Sequence, residues 1–200
     1  KAFLTDNGSQ AANLAIQIHG GHGYIREHGI EQFVRDARIA QIYEGTNGIQ
    51  ALDLVGRKLG MNTGRLLKHF FHPAASFLDE NKDINELENI IKPLLSAFNQ
   101  LQQITLLIAQ RGLSDPEEAG AAATDYLRAF GLVAVGYMWA KMAKISIDTT
   151  FNKSDNDTFY EDKVKTARFY MKRVLPETAG LFLKIKAGKD TIMSHKADAF

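Results

Sequence analysis

Glu44 is the residue whose setting in this chain could do chemistry. It stands in Ile42-Tyr43-Glu44-Gly45-Thr46-Asn47-Gly48, behind two apolar residues and ahead of a glycine-framed helix start. Glycines at 45 and 48 let a backbone approach a ligand closely or take positive φ. The exposed amides of a helix start can hold an anionic or polarised group. A carboxylate there is a seat for a general base, although a free glutamate, with a pKa of about 4.3, is a feeble one in water. Excluding water raises that pKa and improves the match. From spacing alone, a solvated glutamate remains the commoner reading.

The other reactive residue types give weaker signals. His19 and His22 flank glycines, and His69 and His72 lie three apart on a helical pattern. Two histidines at helical spacing need further ligands to bind a metal. No Glu-x-x-His motif of a di-iron bundle is present, so no metal site is expected. Gly20-Gly21-His22-Gly23 is neither a dinucleotide fingerprint nor a P-loop, and a helix C-cap explains it. Arg35-Asp36-Ala37-Arg38 reads as a solvated helix face or an internal ion pair.

The elements that position these residues read as helices throughout. Proline is rare, at 4 residues, and strand signals are few. The pattern predicts a helix from near the start to about Ile18, stopping at Gly20-Gly21. It predicts a second from about Gly29 to Ile39, and a third after Thr46 as N-cap with Ile49, Leu52, Val55 and Leu59 on one face. A fourth covers roughly Gly64 to Asp79. From about residue 84, Leu87, Ile90, Ile91, Leu94, Leu95, Phe98, Leu101, Ile104 and Ile108 form a sustained stripe that begins a separate unit, with Pro93 near the helix start and Gly112 at its end. Ser114-Asp115-Pro116-Glu117-Glu118 offers two capping boxes. The next stripe is Tyr126, Leu127, Phe130, Val133, Ala134, Tyr137, Met138, Met142 and Ile145. A polar linker, Asn152 to Asp157, then leads to a helix pair capped by Thr158 and Glu161 and broken near Pro176. The expected fold class is all-α, an up-and-down antiparallel bundle.

Composition sets the bounds. Two hundred residues can bury a core without staples. The chain has no cysteine, which excludes disulfides and Cys-ligated zinc and fits an intracellular setting. A formal net charge of +1 gives no electrostatic case for nucleic acid or anionic membrane. No unbroken apolar run reaches the roughly 20 residues of a membrane span. The opening Lys1-Ala2-Phe3-Leu4, without an initiator Met, runs straight into a helix-prone stretch, which suggests a chain cut from a larger protein.

Three blocks in order, Gln17-Ile18-His19-Gly20-Gly21-His22-Gly23-Tyr24, Arg35-Asp36-Ala37-Arg38 and Ile42-Tyr43-Glu44-Gly45-Thr46-Asn47-Gly48-Ile49-Gln50, resemble the C-terminal helical domain of the acyl-CoA dehydrogenases. Ala51 to Leu59 is similar to the larger members, which carry a further helical extension. The resemblance implies two parts: residues 1–60, the end of the C-terminal α-domain, and residues 61–200, the extension. It implies a flavoprotein oxidoreductase that converts an acyl-CoA thioester to trans-2-enoyl-CoA, as in fatty acid β-oxidation. Glu44 takes the position of the base that removes the α-proton while hydride passes to FAD. Tyr43 and Gly45 align with substrate contacts, and Gly45 lies where the thioester meets the backbone. Thr46, Asn47 and Gly48 align with a flavin-contacting turn. The family often has Gln at the position of Gly48, and glycine supplies no side-chain hydrogen bond there. Gln17, Ile18, His19, Gly20 and Gly21 align with a segment that contacts the FAD of a neighbouring subunit. The resemblance further implies a homo-oligomer, an electron-transfer flavoprotein as electron acceptor, and a cytoplasmic location, or the mitochondrial matrix in a eukaryote. The segments that grip most of the flavin lie outside these residues, so the 200 residues alone are expected to retain no FAD and to be inactive. The rival readings are a helical assembly module with a vestigial glutamate and a related acyl-CoA oxidase.

Overall fold

The computed structural model describes residues 1–150, 158–195 and 198. The polar linker expected at Asn152 to Asp157 lies outside the described residues. Among the described residues every regular element is helical. Contacts divide the chain into two compact units, Lys1–Leu54 and Val55–Phe200.

The first unit is built on α1 (Ala2–His19), which packs against α2 (Gly21–Tyr24), α3 (Ile30–Ile39) and α4 (Asn47–Asp53). α1 stops where the glycine pair predicts: Gly20 takes φ 59°, and its N–H bonds to Gln17 O. The segment after it is not a plain turn. α2 folds back onto α1, and a 3-10 turn at Arg26–His28 packs between α2 and α3. The approach requires glycine at 23, because a Cβ there would stand 2.6 Å from the Ile16 carbonyl oxygen. α3 begins one residue later than expected, since Gly29 is left-handed at φ 72°. Its Asp36 accepts from Gln32 Nε2 and its Arg38 donates to Gln41 Oε1, as on a solvated face.

The second unit is a helical bundle. It contains α5 (Arg65–Asn81), α6 (Glu88–Ser114), α7 (Pro116–Thr150), α8 (Phe159–Phe169), α9 (Glu177–Ala187) and α10 (Asp190–Met193). α7, about 52 Å long at 1.5 Å per residue, is the central element and packs on α6, α8 and α9. It is long and apolar enough to cross a membrane by composition. Here Tyr126, Ala129, Leu132, Val133, Tyr137, Ala140 and Ala143 are instead buried in the bundle, as expected of a helix apolar on most sides.

The stripe read on α6 is the core: Leu87, Ile90, Ile91, Leu94, Phe98, Leu101, Ile104 and Ile108 are buried, and Leu95 alone of the stripe is only partly so. The stripe read on α7 holds only in its first half. Met138 and Ile145 are exposed, while Ala140, Ala143 and Ser146 face inward. Small side chains let the neighbouring helices come close, and the bulky ones are left outside. α5 also belongs to this bundle, so the separate unit does not begin at 84. Phe71 stacks edge-on against Phe98 at 5.4 Å, Phe70 meets Phe130 at 4.8 Å, and Phe77 meets Tyr137 at 5.5 Å.

The helix ends follow some of the local signals and depart from others. Asp115 caps α7 by accepting the Glu117 N–H at 3.0 Å. Gly112 does not end α6, which runs on to Ser114, because the helix continues until Asp115 turns extended at φ −148°. Thr46 and Thr158 sit at N-cap positions but make no side-chain cap bond. Pro93 lies six residues into α6, and Pro73 lies inside α5 without ending it. The break between α8 and α9 falls beside Pro176, as expected.

Candidate functional site

The turn from Tyr43 to Asn47 is the most unusual backbone in the first unit. Glu44 has φ 56° and Gly45 φ 79°, so two consecutive residues are left-handed. Glycine does this freely, but for glutamate it costs about 1–2 kcal/mol. Such conformations persist where surrounding contacts enforce them, and they cluster at functional sites.

Side chains from two helices enforce it. Gln50 of α4 donates Nε2–H to the Glu44 carbonyl at 2.8 Å. Lys1 donates to the next carbonyl, Gly45 O, at 2.9 Å and to Asn47 Oδ1 at 2.7 Å. Asn47 Nδ2 donates to Asp6 Oδ1 at 2.6 Å and to Thr5 Oγ1 at 3.1 Å, and Gln41 Nε2 reaches the same Asp6 oxygen at 2.7 Å. The first turns of α1 and α4 thus clamp the strained pair between them. The Asn47 side chain is fully committed to α1, which leaves its backbone for any ligand.

The Glu44 side chain itself is exposed and has no hydrogen-bond or ion-pair partner among the described residues. Tyr43 beside it is half exposed, and Gly45, Thr46 and Gly48 lie open. The Thr46 hydroxyl makes no bond to its own helix. The first-turn amides of α4 also lack helical acceptors, as at every helix start. The carboxylate, a hydroxyl and free amides therefore share one exposed turn, a set of donors and acceptors open to a polar ligand.

The second expected group lies elsewhere on the same helix. Gln17, Ile18, His19, Gly20 and Gly21 form the far end of α1, all exposed. His19 Nδ1 lies 2.9 Å from the Ala15 carbonyl. Twelve residues of α1 separate Gln17 from Thr5, roughly 18 Å at 1.5 Å per residue. Tyr43 to Gly48 are brought together; Gln17 to Gly21 are held at the opposite end. His69 and His72 are both exposed, and no group of three or more metal-ligating side chains occurs among the described residues.

Sequence reasoning missed Gln50, Lys1 and Asp6 as parts of this site. The only local trace was a glutamine one position beyond the capping-box site. The contacts of Lys1 and Asp6 span 35 to 46 residues and leave no local pattern.

Comparisons with known proteins place the chain in a family. Residues 1–59 match the acyl-CoA dehydrogenase C-terminal domain, and residues 70–196 match a family described as acetyl-CoA dehydrogenase C-terminal like. The 3-methylmercaptopropionyl-CoA dehydrogenase of Ruegeria pomeroyi is 33% identical over 97% of this chain and 33% of its own length. A butyryl-CoA dehydrogenase of Syntrophomonas wolfei is 29% identical over 100% of this chain and 33% of its own. The broad-specificity linear acyl-CoA dehydrogenase of Mycobacterium tuberculosis is 29% identical over 81% of this chain and 28% of its own. The chain therefore spans about a third of the length of these curated relatives. With both parts of the chain matched in order, the chain belongs to the acyl-CoA dehydrogenase family.

Proposed function

We propose that this chain is the C-terminal part of an FAD-dependent acyl-CoA dehydrogenase in which Glu44 removes the α-proton of the thioester. The observation that carries the reading is the Glu44 backbone, held at φ 56° by bonds to the two carbonyls of its turn. A solvated glutamate has no need of that conformation. A base that must meet one carbon-bound hydrogen does, because proton transfer depends on alignment.

Glu44 accepts the α-proton on its carboxylate. Its backbone amide, or that of Gly45, is placed to donate to the thioester oxygen as negative charge develops there. Gly45 keeps the backbone low so that the thioester can approach. Thr46, with the backbone of Asn47 and Gly48, would hold the edge of the cofactor, and Gln17 to Gly21, at the other end of α1, would meet the cofactor of a neighbouring subunit in a homo-oligomer. Bound FAD supplies the hydride acceptor. Exclusion of water by substrate and cofactor would raise the basicity of Glu44. Residues 61–200 form the helical extension of the larger members. Turnover requires the remainder of the protein, and an electron-transfer flavoprotein is the proposed electron acceptor.

The test is a panel of acyl-CoA thioesters added anaerobically to the full-length protein, wild type and Glu44→Gln, with flavin bleaching as the readout. Bleaching of the wild type by at least one thioester and its loss in the variant support the reading. Equal bleaching by both, the result expected of a vestigial glutamate, refutes it.

A further inference from the structure

We propose that Gln50 is a positioning residue for Glu44, fixing the direction of the carboxylate through the main chain. The inference rests on the proton-abstracting role of Glu44 given above. It follows from which groups hold the turn. Upstream, the last main-chain bond is Tyr43 N–H to Ile39 O at 3.2 Å; downstream, the first is Gln50 N–H to Thr46 O at 3.0 Å. Between them, the amides of Glu44, Gly45 and Thr46 have no main-chain acceptor among the described residues. The Thr46 hydroxyl, which would ordinarily cap the helix, makes no such bond. The left-handed pair is therefore held by side chains.

Gln50 is the holder nearest the base. Its Nε2–H reaches the Glu44 carbonyl at 2.8 Å. That bond ties the Glu44 carbonyl to the first turn of α4 while Glu44 stands at φ 56°. Gly45 makes room for it: a Cβ at 45 would lie 3.0 Å from the same Nε2. If the bond is lost, the Glu44 backbone can relax toward negative φ. That rotation, of roughly 100° or more given ordinary allowed φ, swings Cβ and the carboxylate away from any fixed reaction centre. Misplacement of a reacting group by about 1 Å can cost roughly 100-fold in rate. Gln50 touches neither substrate nor cofactor in this scheme; its effect passes through the peptide of Glu44.

The experiment uses the full-length holoprotein with Gln50→Met, which keeps the bulk and removes the donor, and Gln50→Lys, which restores a donor. For each variant, kcat, KM and FAD content are measured with the thioester that bleaches the wild type best, with and without α-deuterium. The expected result for Gln50→Met is a fall in kcat of about 10- to 100-fold, KM within about threefold, unchanged FAD content and a larger α-deuterium isotope effect. Gln50→Lys should recover most of the rate. If Gln50→Met does not fold, Gln50→Glu decides instead, since its carboxylate has the same size and cannot donate at neutral pH; the same loss is expected. A kcat within twofold of wild type in Gln50→Met or Gln50→Glu overturns the inference. So does a loss that leaves the isotope effect unchanged and is not rescued by Gln50→Lys. Glu44→Gln is measured alongside: near-normal turnover there overturns the role of Glu44 and this inference with it, whereas an inactive Glu44→Gln beside a fully active Gln50→Met overturns this inference alone.

Discussion

In residues 1–54 only Ala2, Gly23 and Ala51 are buried, whereas the bundle that follows seals Leu78, Leu87, Ile90, Ile91, Leu94 and Leu101 completely. The first unit leaves Ile18 83% exposed, Tyr24 79% and Phe33 62%. Exposed apolar side chains are thus denser in the first unit than in the second. The same unit carries the strained turn and the unpartnered carboxylate. The second unit carries the packed core; its own left-handed run, Asn62-Thr63-Gly64, holds no carboxylate. Stability and chemistry are thus divided along the chain. The region with a reactive geometry is the one whose own residues stabilise it least.

The comparison can be broken most forcefully in the bundle. Phe98, 2% exposed and stacked on Phe71, is central to its core. Phe98→Ala should lower the stability of the second unit by about 3–5 kcal/mol, read as a shifted urea midpoint. A change below about 1 kcal/mol would mean that this core is not what holds the bundle together.

Gly23→Ala should do less, and only in the first unit. The new methyl group meets main-chain atoms of Ile16, which cannot step aside as a side-chain tip would. The expected cost is about 1–3 kcal/mol, seen as faster hydrogen exchange in α1 and α2 with α6 and α7 unaffected. Equal acceleration in both units would show that they unfold as one.

Tyr126→Phe should have the smallest effect. The phenol is buried and shares a 2.7 Å hydrogen bond with Thr105 Oγ1, which keeps its own bond to Leu101 O. The expected loss at neutral pH is about 1 kcal/mol. Burial raises the phenol pKa in the folded state. Its stabilising contribution is therefore complete below the unfolded value of about 10 and is lost as pH rises beyond it. The variant should show a shallower alkaline decline, since the Tyr170 phenol, raised by burial in the same way, remains. An unchanged alkaline profile would place the ionising group elsewhere.

Much of the bundle was legible in the sequence because its signals are local and made by bulky residues. The α6 stripe repeats large aliphatics at helical spacing, and Asp115 caps the residue two positions on. The inner face of α7 was half hidden because Ala140, Ala143 and Ser146 look neutral in any hydropathy pattern. Gly112 misled because glycine within a helix and glycine at its end look alike until the neighbouring packing is known. At the candidate site the motif around Glu44 was legible, but its conformation was not. The left-handed pair depends on Lys1, Asp6 and Gln50, residues brought together by the packing of α1 on α4. The separation of Gln17–Gly21 from the Glu44 turn was equally invisible until α1 was seen to run between them.

The most direct measurement is the rate of anaerobic flavin reduction in full-length Glu44→Gln beside wild type, with thermal midpoints recorded for both. The account predicts a fall of at least about 100-fold, the usual scale for losing a general base, with the midpoint essentially unmoved because the exposed carboxylate has no partner within the described residues. A reduction rate within a few-fold of wild type would contradict it.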